Sequence, residues 1–517
     1  MPAQPSRRLG AASGLAALLA ALLSVSACSG GSSVDTGGGG SAAGGGSGNL
    51  VAAISAEPDQ LDPQKTTSHP SFEVLENVFD TLVEPDASLA MQPALASSWT
   101  TAPDQLSWTF TLAKGVTFQN GDPFSSADVV YSYQRIITGK LANSYRFDSV
   151  KDVVAVDPGT VRIDLTRPTP NLLEDIGSFK GMAIVDKKNV DSGQLGTHPV
   201  GTGPFAFGSW NHGDSITLTR NPTYFRGAPK LASVKFTFVS EPTTALADLQ
   251  GSQVQWTDNL PTSQVSSLQR SSSPVVKTVL SNDYWYLALN EAKAPYNDPR
   301  VRQAFAYAID RNAVTQAAKY GQAAVNQTAI PKGSYFYDSY SPYTTDVAKA
   351  KQLLSQAGVQ NLSVDMMVAS QYPETVQAAQ VMKDELSKVG VTMNIRTEDF
   401  ATWLADQRKG TFDAFMLGWL GNIDPDDFYY DQHHTGAANN FQKYSNPAVD
   451  SLLDQARTTT DKAQRKGLYD QAVKMIVDDA SYIYLYNPDV VQGWSSSLKN
   501  YTERADQAIR FRDASLS

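Results

Sequence analysis

The chain has 517 residues, with 42 Lys and Arg against 52 Asp and Glu, so its formal net charge is 42 − 52 = −10. This acidic balance excludes a basic nucleic-acid-binding surface over the chain as a whole, and we expect no nucleic-acid partner. A single Cys excludes an internal disulfide framework and any Cys-clustered metal site. The length allows about two to four domains with substantial cores.

The N-terminus has the pattern of an export signal. Arg7 and Arg8 precede an apolar stretch, residues 9–23, which is too short to cross a bilayer comfortably. Residues 25–28 read VSAC, a run that resembles the lipobox of bacterial lipoproteins. The resemblance implies that residues 1–27 are a signal peptide and that Cys28 becomes the lipid-modified first residue of the mature protein. A buried free Cys is the alternative, and the two arginines leave both the general and the twin-arginine export routes open.

Residues 28–48 are predicted to form a tether. Residues 29–48 are rich in Gly and Ser, and such a composition cannot bury enough apolar surface to fold. Its root-mean-square reach is roughly 25 Å. The combination predicts a protein held at the extracytoplasmic face of a bacterial cell membrane through a lipid anchor on Cys28.

The body of the chain mixes strands and helices. Alternation of apolar and polar residues predicts half-buried strands at residues 108–112, 161–165, 215–219 and 234–238. Asp298 and Pro299 predict the start of a helix, because Asp is a good N-cap and Pro suits the first helical position. Further helices are predicted from Asp346 to residue 357 and over residues 374–389, followed by a strand at 391–396. This alternation indicates an α/β fold.

Motifs for common enzymatic chemistry are absent from the sequence. It contains no P-loop, no HExxH, no CxxC, no GxSxG and no EF-hand loop. Residues 201–206, GTGPFA, fit a dinucleotide fingerprint only loosely, since Pro204 and Phe205 stand where a helix should begin. We therefore predict no catalytic residue, no cofactor and no metal site, and a protein that is not an enzyme.

Two polar clusters leave alternatives open. The adjacent His433 and His434 are interpreted as hydrogen-bonded or surface residues, with a metal-ligand role as the alternative. The acidic run DPDD at residues 424–427 is compatible with a solvated loop, a calcium loop or the acid–base pair of a secreted hydrolase. Because Trp419 and Phe428 flank it, the run also suits a cationic or amide-rich ligand held against apolar walls.

Five stretches in chain order resemble the extracytoplasmic solute-binding proteins of family 5, which serve peptide ABC importers. They cover nearly the whole predicted mature chain and include EPDQLDP at 57–63, WTFTLAKGVTFQNG at 108–121, PVGTGPF at 199–205, PRVRQAFAYAIDR at 299–311, and FDAFMLGW at 412–419 with NFQKYSNPAVD at 440–450. The resemblance implies a two-lobe periplasmic-binding-protein-like fold (type II, cluster C). Lobe I carries an extra small α/β domain, and a hinge joins the two lobes.

The resemblance also implies the boundaries of these parts. Lobe I comprises residues 49–82, 193–283 and a C-terminal return at 488–517. The small domain interrupts it at 83–192, and lobe II spans 284–487. Two crossing strands, near residues 284–290 and 482–486, form the expected hinge, whose rotation closes the lobes on a ligand.

Ligand-binding residues are carried over from the family residue by residue. Those after the Leu-Asp-Pro motif and those around the Gly-Trp motif line a slot for an extended ligand, and aromatic residues form its walls. The predicted set is Thr67, Ser68 and His69 from lobe I, Trp419, Leu420, Gly421 and Asn422 from lobe II, and the walls Trp285, Tyr286 and Trp403.

The sequence departs from peptide binders at two telling places. Arginines that some oligopeptide binders use for the peptide carboxylate appear here as Gln407 and Met416, with Arg408 next door. Where those proteins commonly place an Asp that pairs with the peptide ammonium group, this chain has the neutral Asn422, and Asp424 is the predicted substitute.

The expected function is capture of peptides or related polar solutes by a monomer that delivers them to ABC importer permease subunits. The alternative is the same receptor role for a different ligand: a nickel chelate, a glutathione-like compound, an opine or a sugar. If the ligand is a metal chelate, His433 or His434 is expected to help bind it.

Overall fold

The computed structural model describes residues 48–517, without the side chain of Lys180. The predictions for the signal segment, Cys28 and residues 29–47 therefore lie outside the described residues. The first described strand begins at Gly48, and residues 48–517 belong to one compact unit. None of the helices within residues 48–517 is long and apolar enough to span a membrane.

The first half of the described chain is rich in strands. Its elements are β1 (Gly48–Ile54), α1 (His69–Leu75), β2 (Val83–Pro85), β3 (Met91–Pro93), β4 (Ala96–Thr101), β5 (Ser107–Leu112), α2 (Ser126–Gly139), β6 (Val150–Asp157), β7 (Thr160–Leu165), α3 (Leu172–Gly177), α4 (Phe179–Met182), α5 (Lys187–Asp191), β8 (Phe205–Asn211), β9 (Ser215–Arg220), β10 (Leu231–Phe238), α6 (Pro242–Gln250), β11 (Trp256–Thr257), α7 (Val265–Leu268) and β12 (Val275–Leu280). Two short 3₁₀ helices lie at Ser144–Phe147 and Thr262–Gln264.

The second half alternates strands with longer helices. Its elements are β13 (Tyr284–Leu289), α8 (Pro299–Ala308), α9 (Arg311–Lys319), β14 (Ala323–Val325), α10 (Val347–Gln356), β15 (Leu362–Ala369), α11 (Pro373–Ser387), β16 (Val391–Glu398), α12 (Phe400–Lys409), β17 (Ala414–Trp419), α13 (Pro425–His433), α14 (Pro447–Thr458), α15 (Lys462–Asp478), β18 (Tyr482–Trp494), β19 (Leu498–Lys499) and β20 (Ser515–Leu516).

Local sequence signals explain the predicted elements. The Asp298 carboxylate accepts a hydrogen bond from the Arg300 backbone N–H, and Asp346 caps α10 in the same way. In β7 every second residue is buried, as the alternation predicted. The predicted helices and strands at 299–309, 346–357, 374–389 and 391–396 are thus confirmed, with ends shifted by one or two residues.

The long strand β18 joins the two lobes. Its first half pairs antiparallel with β13, and beyond that pair the sheet continues through β17 and β15 to β16. Its second half pairs with β11 and β12, and the sheet continues through β1, β10 and β9 to β8. A separate antiparallel sheet, in the order β4-β5-β7-β6, belongs to the small domain of lobe I.

The buried side chains fall into separate cores, which explains the division into lobes. One core draws on residues between 284 and 486, a second on residues between 82 and 184, and a third combines residues 50–79, 179–256 and 494–514. The fold is therefore a two-lobe α/β architecture with a small additional domain. The residue boundaries given above remain predictions.

The chain passes between the lobes at two neighbouring points, which we call the crossing segments: residues 281–283 and residues 487–489. The Ser281 backbone N–H donates to the Pro488 carbonyl at 2.9 Å, and the Asn487 side chain donates to the Asp283 carbonyl at 2.7 Å. Asn487 and Asp283 are both almost fully buried. These segments adjoin β13 and β18, the two strands in which the family resemblance implied a hinge.

Candidate functional site

A cavity lies between the lobes, beside the crossing segments. Both lobes contribute to its lining, as a site that opens and closes requires. Lobe I supplies His69, Phe72, Glu73, Glu76, Ser178, Phe179, Asp506, Gln507 and Arg510, and lobe II supplies Gly421 and Ile423.

Helix α1 forms the lobe I wall of the cavity. His69 begins this helix and Glu73 follows one turn later, so the two side chains lie on the same face, with 3.5 Å between His69 Nε2 and Glu73 Oε1. Glu73 is only 2% exposed. Burial raises the pKa of Glu73 well above its ordinary value, and the neighbouring Asp258 carboxylate raises it further. The wall is therefore acidic and poorly solvated.

A second acid in this wall is Glu76. Burial raises the pKa of Glu76 to about 7, although the Arg510 guanidinium, 3.6 Å away, opposes the shift. Arg510 also pairs with Glu84 at 3.2 Å. One arginine thus faces several carboxylates, and the lobe I side of the cavity holds more acidic than basic groups.

The lobe II wall is the loop that follows β17. Its Gly421 has a φ of 61°, a left-handed conformation that suits glycine, and its N–H donates to the Asp283 carboxylate at 2.5 Å. The carbonyl of Asn422 accepts a hydrogen bond from the Asn282 side chain. Because Asp283 and Asn282 belong to a crossing segment, a rotation of the lobes is transmitted directly to this loop.

A second contact between the lobes lies at another, polar cavity. Here Arg146 of the small domain pairs with Asp427 of lobe II at 3.4 Å and with its own neighbour Asp175 at 3.3 Å. The side chain of Arg146 is 2% exposed. Burial alone would lower the pKa of Arg146, but Asp427 and Asp175 raise it, so the guanidinium stays charged. An ion pair therefore holds the two lobes together on this side.

The structure brings two of the predicted ligand-binding residues together: His69 and Gly421 face the same interlobe cavity. Thr67 is exposed and Ser68 half-buried, directly before His69. Leu420 is 41% exposed, next to Gly421. These neighbours remain predicted ligand contacts.

Asn422 and Trp419 also stay within the lobe II loop. The Asn422 side-chain amide donates to the Asp427 carbonyl at 3.1 Å, so its N–H is already engaged. Trp419 ends β17, is half-buried, and packs against the lobe II core. Its Nε1 is buried and lies toward the hydroxyls of Tyr286 and Tyr482. The polar edge of the Trp419 ring therefore faces the interior of lobe II.

The predicted aromatic walls are core residues and not cavity walls. Tyr286 is fully buried and stacks on Tyr482 with 3.7 Å between ring centroids. Trp285 is 4% exposed and packs edge-on against Tyr372. Trp403 is fully buried among Phe400 and Phe415. The expectation for these three residues is corrected, because their rings fill the interior of lobe II.

Asp424 requires a further correction. Both of its carboxylate oxygens bind the Arg465 guanidinium, at 2.5 and 2.6 Å, and the carboxylate also caps α13. Asp424 is 4% exposed. Its charge is therefore neutralised inside lobe II, and it is not free to replace the missing ammonium-binding Asp.

The histidine pair is likewise structural. His433 is fully buried, and its two ring nitrogens lie 3.1 Å from the Ser481 hydroxyl and 2.9 Å from the Tyr484 hydroxyl. Burial lowers the pKa of His433 to about 3. His434 stacks on Tyr430 and pairs with Asp454 at 3.4 Å. Neither ring faces the interlobe cavity, so the metal-ligand alternative for this pair is not supported.

Several residues that line the cavity were not predicted from the sequence. Glu73 could have been found, because it stands four residues after His69 on a helix whose start the Ser-His-Pro sequence signals. Phe179, Asp506 and Arg510 carry no local signal, since only the tertiary fold brings them to the cavity.

One ligand atom each from His69, Glu73 and Asp258 lies within 4.8 Å of the others, an arrangement that could hold a metal ion.

A cavity enclosed by two lobes joined through crossing strands defines a solute-binding receptor, and comparison with known proteins agrees. The sequence model of the bacterial extracellular solute-binding proteins, family 5 (middle), matches residues 90–441. The chain therefore belongs to this family, whose members serve ABC importers outside the cytoplasm. Its relatives are solute-binding receptors and not enzymes.

Individual relatives cover most of the chain. The glutathione-binding protein GsiB of Escherichia coli O6:K15:H31 is 27% identical over 484 residues, which cover 90% of this chain and 94% of GsiB. The GsiB of Pectobacterium atrosepticum is 28% identical over 484 residues, 91% of this chain and 94% of that protein.

Solved structures share the fold. The periplasmic binding protein DppA of Helicobacter pylori, in complex with the peptide STSA, is 27% identical with a TM-score of 0.81, covering 91% of this chain and 98% of that one. AgaA of A. tumefaciens R10, in complex with agropinic acid, is 26% identical with a TM-score of 0.78, covering 91% and 99%. NikZ of Campylobacter jejuni, in complex with Ni(L-His), is 22% identical with a TM-score of 0.79, covering 90% and 99%, and shows the fold alone.

Proposed function

We propose that the protein captures peptides, or peptide-like polar solutes, between its two lobes and delivers them unchanged to the permease of an ABC importer. The observation that carries the proposal is the interlobe cavity, to which His69 of lobe I and Gly421 of lobe II both contribute. Enclosure removes a solute from water on all sides, whereas opening exposes it at once, so one receptor can both bind and release.

The peptide-like class is favoured by two relatives above 25% identity. DppA of H. pylori binds the peptide STSA, and the GsiB proteins bind glutathione. Both compounds carry amide groups together with charged ends. The acidic lobe I wall, with Glu73 and Glu76, suits the cationic end of such a solute. An opine, a sugar or a nickel chelate is the competing ligand class.

The proposal includes an anchor. Cys28 carries the lipid, residues 28–48 form the tether, and the folded body works as a monomer at the extracytoplasmic face of the membrane. Expression of the chain in a lipoprotein-processing bacterium tests this point. The wild type should sediment with membranes, whereas Cys28→Ala should not be lipidated. Equal labelling of both proteins by a radioactive fatty acid would contradict the anchor.

Ligand-dependent thermal stabilisation tests the receptor function. A solute that binds only the folded state raises stability by RT ln(1 + [L]/Kd), about 2.7 kcal/mol at a hundredfold excess over Kd. The panel comprises di- to pentapeptides, glutathione, an opine, a sugar and Ni²⁺ with histidine. At least one peptide or glutathione should raise the melting temperature, and a panel without effect would contradict the proposal.

Trp419→Ala is the matching site variant. Because Trp419 directly precedes the loop that forms the lobe II wall and is half-buried, its loss should weaken affinity about tenfold or more, while the protein stays folded. Trp108→Ala is the matched control, since Trp108 lies half-buried in β5 of the small domain. Equal affinities of the two variants would remove Trp419 from the binding surface.

A further inference from the structure

The lobe I wall contains a buried carboxyl group whose ionised form lacks an adequate partner. Glu73 is 2% exposed, and neither of its carboxyl oxygens has a hydrogen-bond partner among residues 48–517. Oδ1 of Asp258 is buried without a hydrogen-bond partner in the same part of the protein. Ionising such a group alone is costly, and a cation bound between two buried acids offsets that cost.

The basic side chains of the described region do not fill this role. His69 is the basic residue within 4.0 Å of Glu73, at 3.5 Å. Arg510, which lines the same cavity, pairs instead with Glu76 and Glu84. The two acids and the imidazole therefore form a group of their own, which we call the acidic triad: His69, Glu73 and Asp258.

The geometry of the acidic triad suits a metal ion. One ligand atom from each residue lies within 4.8 Å of the other two. His69 and Glu73 stand four residues apart on one helix face, and Asp258 approaches from the end of β11. A pair at this spacing plus a third residue from elsewhere is a common way to build a metal site, because the helix fixes two ligands in advance.

We infer that the acidic triad is a binding site for a divalent transition-metal ion such as Ni²⁺ or Zn²⁺. A neutral imidazole with two carboxylates matches the donors these ions take, and a dication balances the two negative charges. Three protein ligands leave coordination positions open. Since His69 and Glu73 line the interlobe cavity, a bound ion would be accessible to a solute in the cleft.

This inference deepens the proposed function, because the ion would lie in the same cleft and would favour solutes that chelate metals. Its test uses the metal alone. The full chain carrying Cys28→Ala, purified without a histidine tag and freed of metal by a chelator, is titrated calorimetrically with NiCl₂ or ZnCl₂. We expect one ion per chain. Glu73→Gln and Asp258→Asn should each weaken binding at least tenfold, and MgCl₂ should not compete.

A matched control separates this site from surface histidines. His212 and Glu57 form an exposed pair, 2.9 Å apart, with the His212 side chain 74% exposed. His212→Asn should therefore leave the titration unchanged. Absence of binding, or binding that His212→Asn removes and Glu73→Gln does not, would overturn the inference.

Thermal unfolding guards against misfolded variants. Glu73→Gln keeps the size of the side chain and puts a neutral amide in the buried position, so the metal-free variant should melt no lower than the metal-free parent. Added Ni²⁺ or Zn²⁺ should raise the melting temperature of the parent only. A variant that folds and gains equal stability from the metal would refute the acidic triad as the site. Because no organic solute is present, this failure would leave the proposed solute binding untouched.

Discussion

Asp424→Asn distinguishes a structural acid from a ligand-binding one. The Asp424 carboxylate accepts two hydrogen bonds from Arg465, at 2.5 and 2.6 Å, and the two side chains are 5% and 4% exposed. Asn can still cap α13, so the substitution removes mainly the charge. Arg465 then remains buried without its counter-ion.

The expected cost follows from this burial. Breaking a buried ion pair by removing one partner costs about 3–5 kcal/mol, because the remaining charge is uncompensated. For a folding unit of 150–250 residues, about 1 kcal/mol corresponds to a shift of about 2–4 °C in melting temperature. The expected decrease is therefore about 6–20 °C.

Differential scanning calorimetry with a matched control measures this effect. Asp191→Asn removes one partner of the Lys187–Asp191 pair, whose side chains are 58% and 55% exposed. Exposed pairs contribute about 0–1 kcal/mol, so this variant should melt within a few degrees of the wild type. If Asp424→Asn melted like Asp191→Asn and instead lost solute affinity, the structural role of Asp424 would be refuted.

Two further predictions concern acid stability and closure. Burial lowers the pKa of His433 from 6.5 to about 3. As the pH falls from 6.5 to 3, the unfolded chain takes up a proton at this residue that the folded chain does not, so the free energy of unfolding decreases by up to about 5 kcal/mol. His433→Gln should flatten this part of the pH–stability curve in urea unfolding, and the exposed His198→Gln should not; identical slopes would contradict the assignment. Asp427→Asn removes the ion pair with Arg146 across the lobes at 3.4 Å and should weaken the best-binding solute about fivefold, or about 1 kcal/mol. Calorimetric titration beside Asp470→Asn, which affects only the Lys466 pair within α15, checks this, and equal affinities would argue against closure through Asp427.

Elements governed by local signals were predictable from the sequence. The caps at Asp298 and Asp346 act through neighbouring backbone groups, and the alternation in β7 records a single buried face. The two-lobe arrangement came from the family resemblance and not from periodicity. The structure brings His69 and Gly421, two of the residues that the resemblance implied, to the interlobe cavity, and their contact with a ligand remains a prediction.

Tertiary partners could not be predicted in the same way. Asp424 looks like an available acid in the sequence because its partner Arg465 stands 41 residues further on. Trp403 reads equally well as a pocket wall, and only the packing of Phe400 and Phe415 around it shows that it is core. Glu73 and Asp258 meet because β11 pairs with β1, a contact without any local sequence signal.

Small-angle X-ray scattering, combined with mass spectrometry of the bound molecule, decides whether the two lobes close on an unreacted solute. The solute that gives the largest thermal shift should bind one per chain, reduce the radius of gyration, and be recovered with its mass unchanged. A bound solute that leaves the scattering curve unaltered, or that is released as a different compound, would contradict a hinged receptor for an ABC importer.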